Sequence, residues 1–342
     1  MKLNCYNDIP AGFLSCEPQT LYKSLPGPSL IHLPGRRPER LFVSILLHGN
    51  EAVGLLAIQG LLEKYRTREL PRALSIFVGN VEAARQGVRR TDSQPDYNRV
   101  WPSTTYADCP EKSLMQEVVT RMSQERLFAS IDLHNNIGLN PHYACINKIT
   151  PPFLHLANLF SRTVVYFTNP KGVQSMAMSS LCPATTLECG PAGSMHGVEH
   201  AIEYLDACLH LNELEHHTII PSDIDLYHTV AIVKVPPQYS LGVDNDQADI
   251  SLLHDIEKYN FTELSPGTVL AQVRAGTDYL FELLDENNND VSKNYLALDG
   301  NEIRLRCSVM PSMLTTNQAA IRQDCLGYFM ERYPLPNISG GS

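Results

Sequence analysis

The chain has 342 residues, 43% hydrophobic and 19% charged, an ordinary globular composition with room for sizeable cores. Its formal net charge of −10, with no long basic run, excludes nonspecific nucleic-acid binding through a positive surface. No run of about eighteen apolar residues occurs and Met1 to Pro18 lacks a basic stretch followed by an apolar core, so no membrane span, no signal peptide and a cytoplasmic location are expected. The nine cysteines are scattered without a Cys-x-x-Cys pair, which predicts reduced thiols.

Residues 1–40, rich in Pro, Gly and Ser, predict a leader with one or two strands, one of them near Ser29 to Leu33. Leu41 to Leu47 is a continuous apolar run, the pattern of a strand buried on both faces. It breaks into His48-Gly49-Asn50-Glu51, and an apolar helical pattern follows from Ala52 to Tyr65. His48 therefore stands at a strand end, with Glu51 at the strand-to-helix turn where open α/β sheets place ligands. A histidine and a carboxylate at this spacing can close on one metal ion if the turn is tight, and Gly49 permits a tight turn. A polar helix cap is the plainer use of the same residues.

Leu74 to Val78 predicts the next strand. From Asn80 to Trp101 no periodicity is visible, and the segment reads as a long loop holding Arg85, Arg89, Arg90, Arg99, Asp92 and Asp96. That many guanidinium groups beyond a strand end suit recognition of an anion or a carbonyl as well as they suit a solvated loop. Asp108 to Met122 predicts a helix capped by Asp108, with Pro110 in its first turn and Leu114, Val118 and Met122 on one face. Leu127 to His134 is a second apolar strand ending in histidine, followed by the turn-like Asn135-Asn136-Ile137-Gly138. Asp132 shares a strand face with His134 and is placed to orient it.

A strand at His142 to Ile146, a short helix at Pro152 to Ser161 and a strand at Thr163 to Thr168 come next. Ala184 to Leu187 then runs apolar into Glu188, ahead of a Gly190-Pro191 turn. Met195 to Leu211 predicts a long helix. His196 and His200 lie four apart on it, but no Glu follows His196, so ordinary helix residues are expected. From about Asp223, short β-rich pieces (Val230 to Val235, Thr268 to Val273, Ile303 to Cys307) alternate with turn signals. The expected organisation is an α/β domain over 1–220 and a smaller β-rich domain over 221–342, with a disordered tail from about Pro334.

Three strand ends thus carry His48 with Glu51, His134, and Glu188. Two His and one Glu with a fourth position left for water is the composition of a catalytic zinc site, whereas closed structural sites favour cysteine. Glu188, from a different strand, is then free to act on that water.

His48-Gly49-Asn50-Glu51, Asn98-Arg99, Asp132-Leu133-His134-Asn135 and Glu188-Cys189-Gly190-Pro191, in this order and rough spacing, resemble the succinylglutamate desuccinylase/aspartoacylase family of zinc-carboxypeptidase-like hydrolases. Asn317-Gln318-Ala319-Ala320 resembles a late element of the family, so the likeness covers most of residues 40–325. The resemblance implies an α/β fold, a mixed sheet flanked by helices with a smaller C-terminal β-rich domain that can cover the pocket. It implies one Zn2+ per chain on His48, Glu51 and His134, with Glu188 as general base and acid. The family arginine that polarises the scissile carbonyl, counted from Asn80, is Arg89; one extra residue before Asn98 makes Arg90 a competing assignment. Asn98 and Arg99 match the pair that holds a substrate carboxylate, and Asn135 is grouped with them as substrate-binding.

The implied activity is cleavage of an amide bond in a small carboxylate-bearing molecule, an N-acyl amino acid or a short peptide. A zinc carboxypeptidase acting on small peptides and a non-catalytic metal-binding sensor are the alternatives. No nucleic-acid or membrane partner is expected, and a homo-oligomer is compatible with the chain. The sequence departs from the aspartoacylase branch at Met178, where that branch has an arginine, and at Ile321, where it has a tyrosine. Asn80-Val81 also stands where the family often has Asn-Pro. The first two departures argue against N-acetylaspartate as substrate, and a methionine at 178 predicts a less charged, more apolar pocket.

Overall fold

The computed structural model describes residues 1–274, 276 and 280–335. The tail expected to be disordered therefore lies, from residue 336 on, outside the described residues. In chain order the first strands are β1 (Asn4–Tyr6), β2 (Ser29–Leu33), β3 (Arg37–Ile45), β4 (Arg72–Val78), β5 (Leu127–Asn136), β6 (Tyr143–Ile146), β7 (Thr163–Tyr166), β8 (Ala184–Pro191) and β9 (Asp225–Lys234). Eight short strands follow: β10 (Leu241–Val243), β11 (Ile250–Leu252), β12 (Val269–Val273), β13 (Glu282–Leu284), β14 (Leu296–Asp299), β15 (Glu302–Leu305), β16 (Met310–Ser312) and β17 (Gly327–Arg332). The helices that bear on the site are α1 (Val53–Lys64), α2 (Val81–Gln86), α3 (Pro110–Met122), α4 (Pro151–Asn158), α5 (Gln174–Met178) and α6 (Met195–His210).

The larger sheet has 12 strands in the order β1-β2-β4-β3-β5-β8-β6-β7-β9-β17-β16, with β13 also paired to β9. β4, β3, β5 and β8 lie side by side and parallel, while β2 and β6 run antiparallel to their neighbours β4 and β8. Leu41 to Ile45 and the whole of β4 are buried, as expected of parallel strands with both faces covered. The apolar stripe Val53, Leu55, Ile58, Leu61 and Leu62 of α1 points inward, and α1 packs on α6. From β3 the chain crosses to β4 on one side and returns to β5 on the other. The crevice beyond the carboxyl ends of β3 and β5 is therefore a topological switch point, where open α/β sheets take their ligands.

Two expectations need correction. The segment after Asn80 is not all loop: its first six residues form α2, with the Asn80 side chain accepting from the Ala83 N–H at 3.0 Å. A helix of this length is too short to display a period. At α3, Cys109 rather than Asp108 is the N-cap, and Asp108 instead pairs with Lys112 at 2.9 Å.

Beyond residue 220 the chain feeds both sheets. β9, β13, β16 and β17 extend the larger one, and β10, β11, β12, β15 and β14 form a separate five-stranded sheet. Ala231, Val233 and Phe329 of the former share a core with Ile250, Leu270 and Ile303 of the latter. No helix among the described residues is long and apolar enough to cross a membrane.

Gly49 matters for a reason other than turn geometry. Its backbone passes so close to α2 that an added Cβ would lie 2.2 Å from the carbonyl carbon of Ala83 and from the nitrogen of Ala84. The positive φ of this turn falls on Leu46, at 53°. Overpacking against backbone costs about 1–3 kcal/mol. Gly49→Ala is thus expected to lower stability by about that amount and to weaken metal uptake, read from denaturant midpoints and metal titration on one preparation; a wild-type midpoint would count against the close approach.

Candidate active site

His48 follows β3 by three residues, Glu51 closes the same turn with its N–H donating to the His48 carbonyl at 3.2 Å, and His134 rises from β5, the next strand over. Their ligand atoms all lie within 4.8 Å of one another, and all three residues are buried. Glu51 sits between the two imidazoles: its Oε1 is 2.7 Å from His48 Nδ1 and its Oε2 is 2.7 Å from His134 Nδ1. The outer nitrogens also meet carboxylates, His48 Nε2 to Asp96 Oδ1 at 3.0 Å and His134 Nε2 to Asp132 Oδ2 at 2.7 Å. Asp132 is held in turn by the Ser44 hydroxyl, which donates to its Oδ1 at 2.6 Å. Each ring thus turns one nitrogen inward and is oriented by an acid through the other, the arrangement of metal-binding histidines. Burial opposes charge on Glu51, but His48 and His134 outweigh it and hold its carboxyl well below the usual range. Two nitrogens and a carboxylate, without a thiol, form a donor set that fits a divalent cation with a coordination position to spare.

Glu188 stands directly opposite His134 in the β5–β8 register. It is buried, and its Oε2 has no hydrogen-bond partner among the described residues. Burial pushes its carboxyl up to about 8, Glu51 and Asp132 add to the rise, and the two histidines oppose it. A buried carboxylate oxygen without a partner is costly unless something else engages it.

The four arginines of the segment after β4 divide. Arg89 enters the cavity, where Nε and Nη2 donate to Asp96 Oδ2 at 3.1 and 2.8 Å and Nη1 lies 3.6 Å from Glu51 Oε1. Arg99 also lines the cavity, with Nη1 donating to the Asn98 carbonyl at 2.9 Å. Arg90 is absent from the cavity wall and donates to the Gln94 carbonyl at 2.9 Å, and Arg85 stacks on the ring of Tyr22. Of the two competing arginines, geometry brings Arg89 to the cluster.

Asn98 and Asn135 reach the wall too, but their amides are largely spent inside the protein. Asn98 donates to Asp132 Oδ2 at 3.3 Å and accepts from the Gln174 N–H at 2.9 Å. Asn135 accepts from the Val53 N–H at 3.1 Å and donates to the Gly190 carbonyl at 3.0 Å, tying the start of α1 to the end of β8.

The apolar wall comes from Ile137, Val165, Phe167, Val173 and Met313. Met178 and Ile321 are not part of it: Met178 is fully buried in the main core, and Ile321 packs in the core of the C-terminal strands. Met178 therefore does not shape the pocket, whose wall holds both these apolar side chains and the charged cluster. Residues after 220 complete the cavity, among them Thr315, Asp324 and Tyr328. Asp324 is the site residue that sequence reasoning missed; an acid at the end of a short helix carries no local signal. His196 and His200 stand apart from the cavity, their rings 5.1 Å from that of His142. A second group, His155, Glu215 and His217, also comes within 4.8 Å but is largely exposed.

A mixed sheet flanked by helices, with a His–Glu–His cluster at its switch-point rim and a further C-terminal sheet, is the α/β fold of the desuccinylase and aminoacylase structures. Residues 39–207 match the family model described as the succinylglutamate desuccinylase/aspartoacylase catalytic domain, so this stretch of the chain is similar to that family. Among solved structures it is similar to the succinylglutamate desuccinylase from Chromobacterium violaceum, at 18% identity over 89% of this chain and 87% of that one, with a TM-score of 0.58. A succinylglutamate desuccinylase/aspartoacylase from Rhodobacter sphaeroides is 14% identical over 89% and 88%, with a TM-score of 0.58. Murine aminoacylase 3 is 15% identical over 87% and 96%, with a TM-score of 0.56. At such identities the likeness speaks for the fold. No curated protein sequence matches the chain.

Loss of an acid that orients a metal-binding histidine typically weakens affinity about 10- to 100-fold. Asp132→Asn is expected to show a loss of that size in zinc competition with a chelator; unaltered affinity would mean that His134 is not a ligand.

Proposed function

We propose that this protein is a zinc-dependent hydrolase that cleaves the amide bond of a small acyl-amino acid or short peptide, releasing the acyl group from the amine. The observation that carries this reading is Glu188: a buried carboxylate with an unpartnered oxygen, across one strand pairing from His134 and beside the His48–Glu51–His134 cluster. His48, Glu51 and His134 would hold the ion, which when bound supplies Lewis acidity, making water acidic near pH 7 and polarising a carbonyl.

The chain's own residues then divide the work. Glu188 takes a proton from the attacking water at Oε2 and later returns it to the leaving nitrogen. Its burial suits this exchange, because a carboxyl held up near neutrality both accepts and releases a proton there. Arg89, at the edge of the cluster, donates to the oxygen that gains charge as the carbonyl becomes tetrahedral. Asp96 and Asp132 keep the two imidazoles turned inward. The apolar wall around Val165 and Phe167 seats the hydrocarbon part of the substrate, and Arg99 faces its polar end. A protein that only sensed a ligand would have no use for a proton carrier at Glu188, which favours the enzyme over the sensor.

Proton transfer by a positioned group contributes about 100- to 10,000-fold. Glu188→Gln is therefore expected to lower kcat by that range or more while zinc content stays near one per chain; undiminished turnover of acyl-amino acids would remove Glu188 from the mechanism. Removal of one donor to a developing oxyanion costs about 100- to 1,000-fold in kcat. Arg89→Ala should fall in that window and Arg90→Ala should not, as steady-state kinetics on the same substrate would report.

A further inference from the structure

Arg99 is the residue expected to grip a substrate carboxylate, yet a carboxylate of the chain already holds it. Arg99 Nη2 donates to Asp324 Oδ1 and Oδ2 at 3.1 and 2.8 Å, and Arg89 Nη2 reaches Asp324 Oδ2 at 3.3 Å. Around these two guanidinium groups stand three carboxylates, Asp96, Asp324 and Glu51. The positive charge of the clamp is thus already matched before any ligand arrives.

Asp324 is carried on a fixed piece of backbone, so its carboxylate stays within reach of both arginines. Its N–H donates to the Ala320 carbonyl at 3.0 Å, closing the short helix Gln318–Gln323. Cys325 and Leu326, which follow it, are buried, and the Leu326 N–H donates to the Val233 carbonyl of β9 at 2.8 Å. The backbone is pinned on both sides of the acid.

With Glu51 committed to the histidine cluster, Asp96 and Asp324 alone already match the two guanidinium groups; a substrate carboxylate at Arg99 would bring a third acid to them, and like charges in a partly buried site discriminate against a ligand strongly. A guanidinium beside a carboxylate offers a different pattern, N–H donors next to an acceptor. An ionised carboxylate has about four lone-pair sites, so Asp324 retains accepting capacity beyond its arginine bonds. The complement of such a pair is a carboxamide, whose oxygen accepts and whose N–H donates.

We propose that Asp324 is a specificity-determining residue: it makes the Arg99 clamp read a neutral carboxamide, a terminal amide or a further peptide bond, in place of a free carboxylate. The proposal rests on the hydrolase reading above, in that the substrate then carries one amide at the cluster and a second at the clamp.

The test uses the zinc-loaded full chain and a matched pair of probes, N-acetyl-leucine and N-acetyl-leucinamide, with calorimetric Kd and steady-state kinetics for each. The wild type is expected to bind the amide at least tenfold more tightly. Asp324→Asn is expected to move the ratio at least tenfold toward the free acid, through KM rather than kcat, at unchanged zinc content. In an Arg99→Gln background the same change should move the ratio less than twofold, because the acid acts through that guanidinium. A wild type that prefers the free acid or binds neither probe overturns the proposal, and so does a folded Asp324→Asn protein with the original ratio. If Asp324→Asn does not fold, the wild-type preference decides. The expected binding ratios with no turnover of either compound would sustain the role of Asp324 while removing the hydrolase reading.

Discussion

One carboxylate shared between two imidazoles holds this site together. Glu51 reaches both His48 and His134 at 2.7 Å, and these residues come from different strands. The contact requires β3 and β5 to be neighbours, the turn after β3 to press against α2, and both rings to be fixed from behind. Each requirement has its own residue: Gly49 admits α2, Asp96 and Asp132 set the rings, and Asn135 stitches the start of α1 to the end of β8. Loosening any of these widens a cluster whose chemistry depends on separations of a few tenths of an ångström.

The charges around the cluster form one connected set. Asp96 touches His48 and Arg89; Asp324 touches Arg89 and Arg99; Asn98 joins the backbone next to Arg99 to Asp132, which touches His134. Buried charges are tolerable when every member is paired, and here the pairing runs through nearly all of them. Glu188 is the exception, its Oε2 buried without a partner among the described residues. The surrounding charges are thus spent on one another, and the carboxyl group left over, Glu188 facing the cavity, is the one to which the proposed function assigns the proton.

Much of the framework was legible along the chain. The apolar runs into His48 and His134 read as buried parallel strands because covered strands have no reason to alternate. The three-residue face of α3 was readable from its period, and Leu114, Val118 and Met122 are all buried. The failures were local and had local causes. α2 is too short to show a period, and at α3 the chain passes over an available Asp108 to cap with Cys109. Met178 was misread because a position relative to Glu188 along the chain says nothing about the direction of a helical side chain; α5 turns it into the core.

By itself the sequence determined which residue types stand at the strand ends, and so the kind of chemistry the rim can perform, because a strand ending in histidine is a property of consecutive residues. Tertiary structure alone decided which of two adjacent arginines enters the cavity, since neighbouring residues in a loop point wherever packing sends them. It also brought Asp324 from the far end of the chain onto Arg99, more than two hundred residues earlier. Contacts across such a separation depend on how β9 and β17 attach to the larger sheet, and no local pattern encodes that attachment.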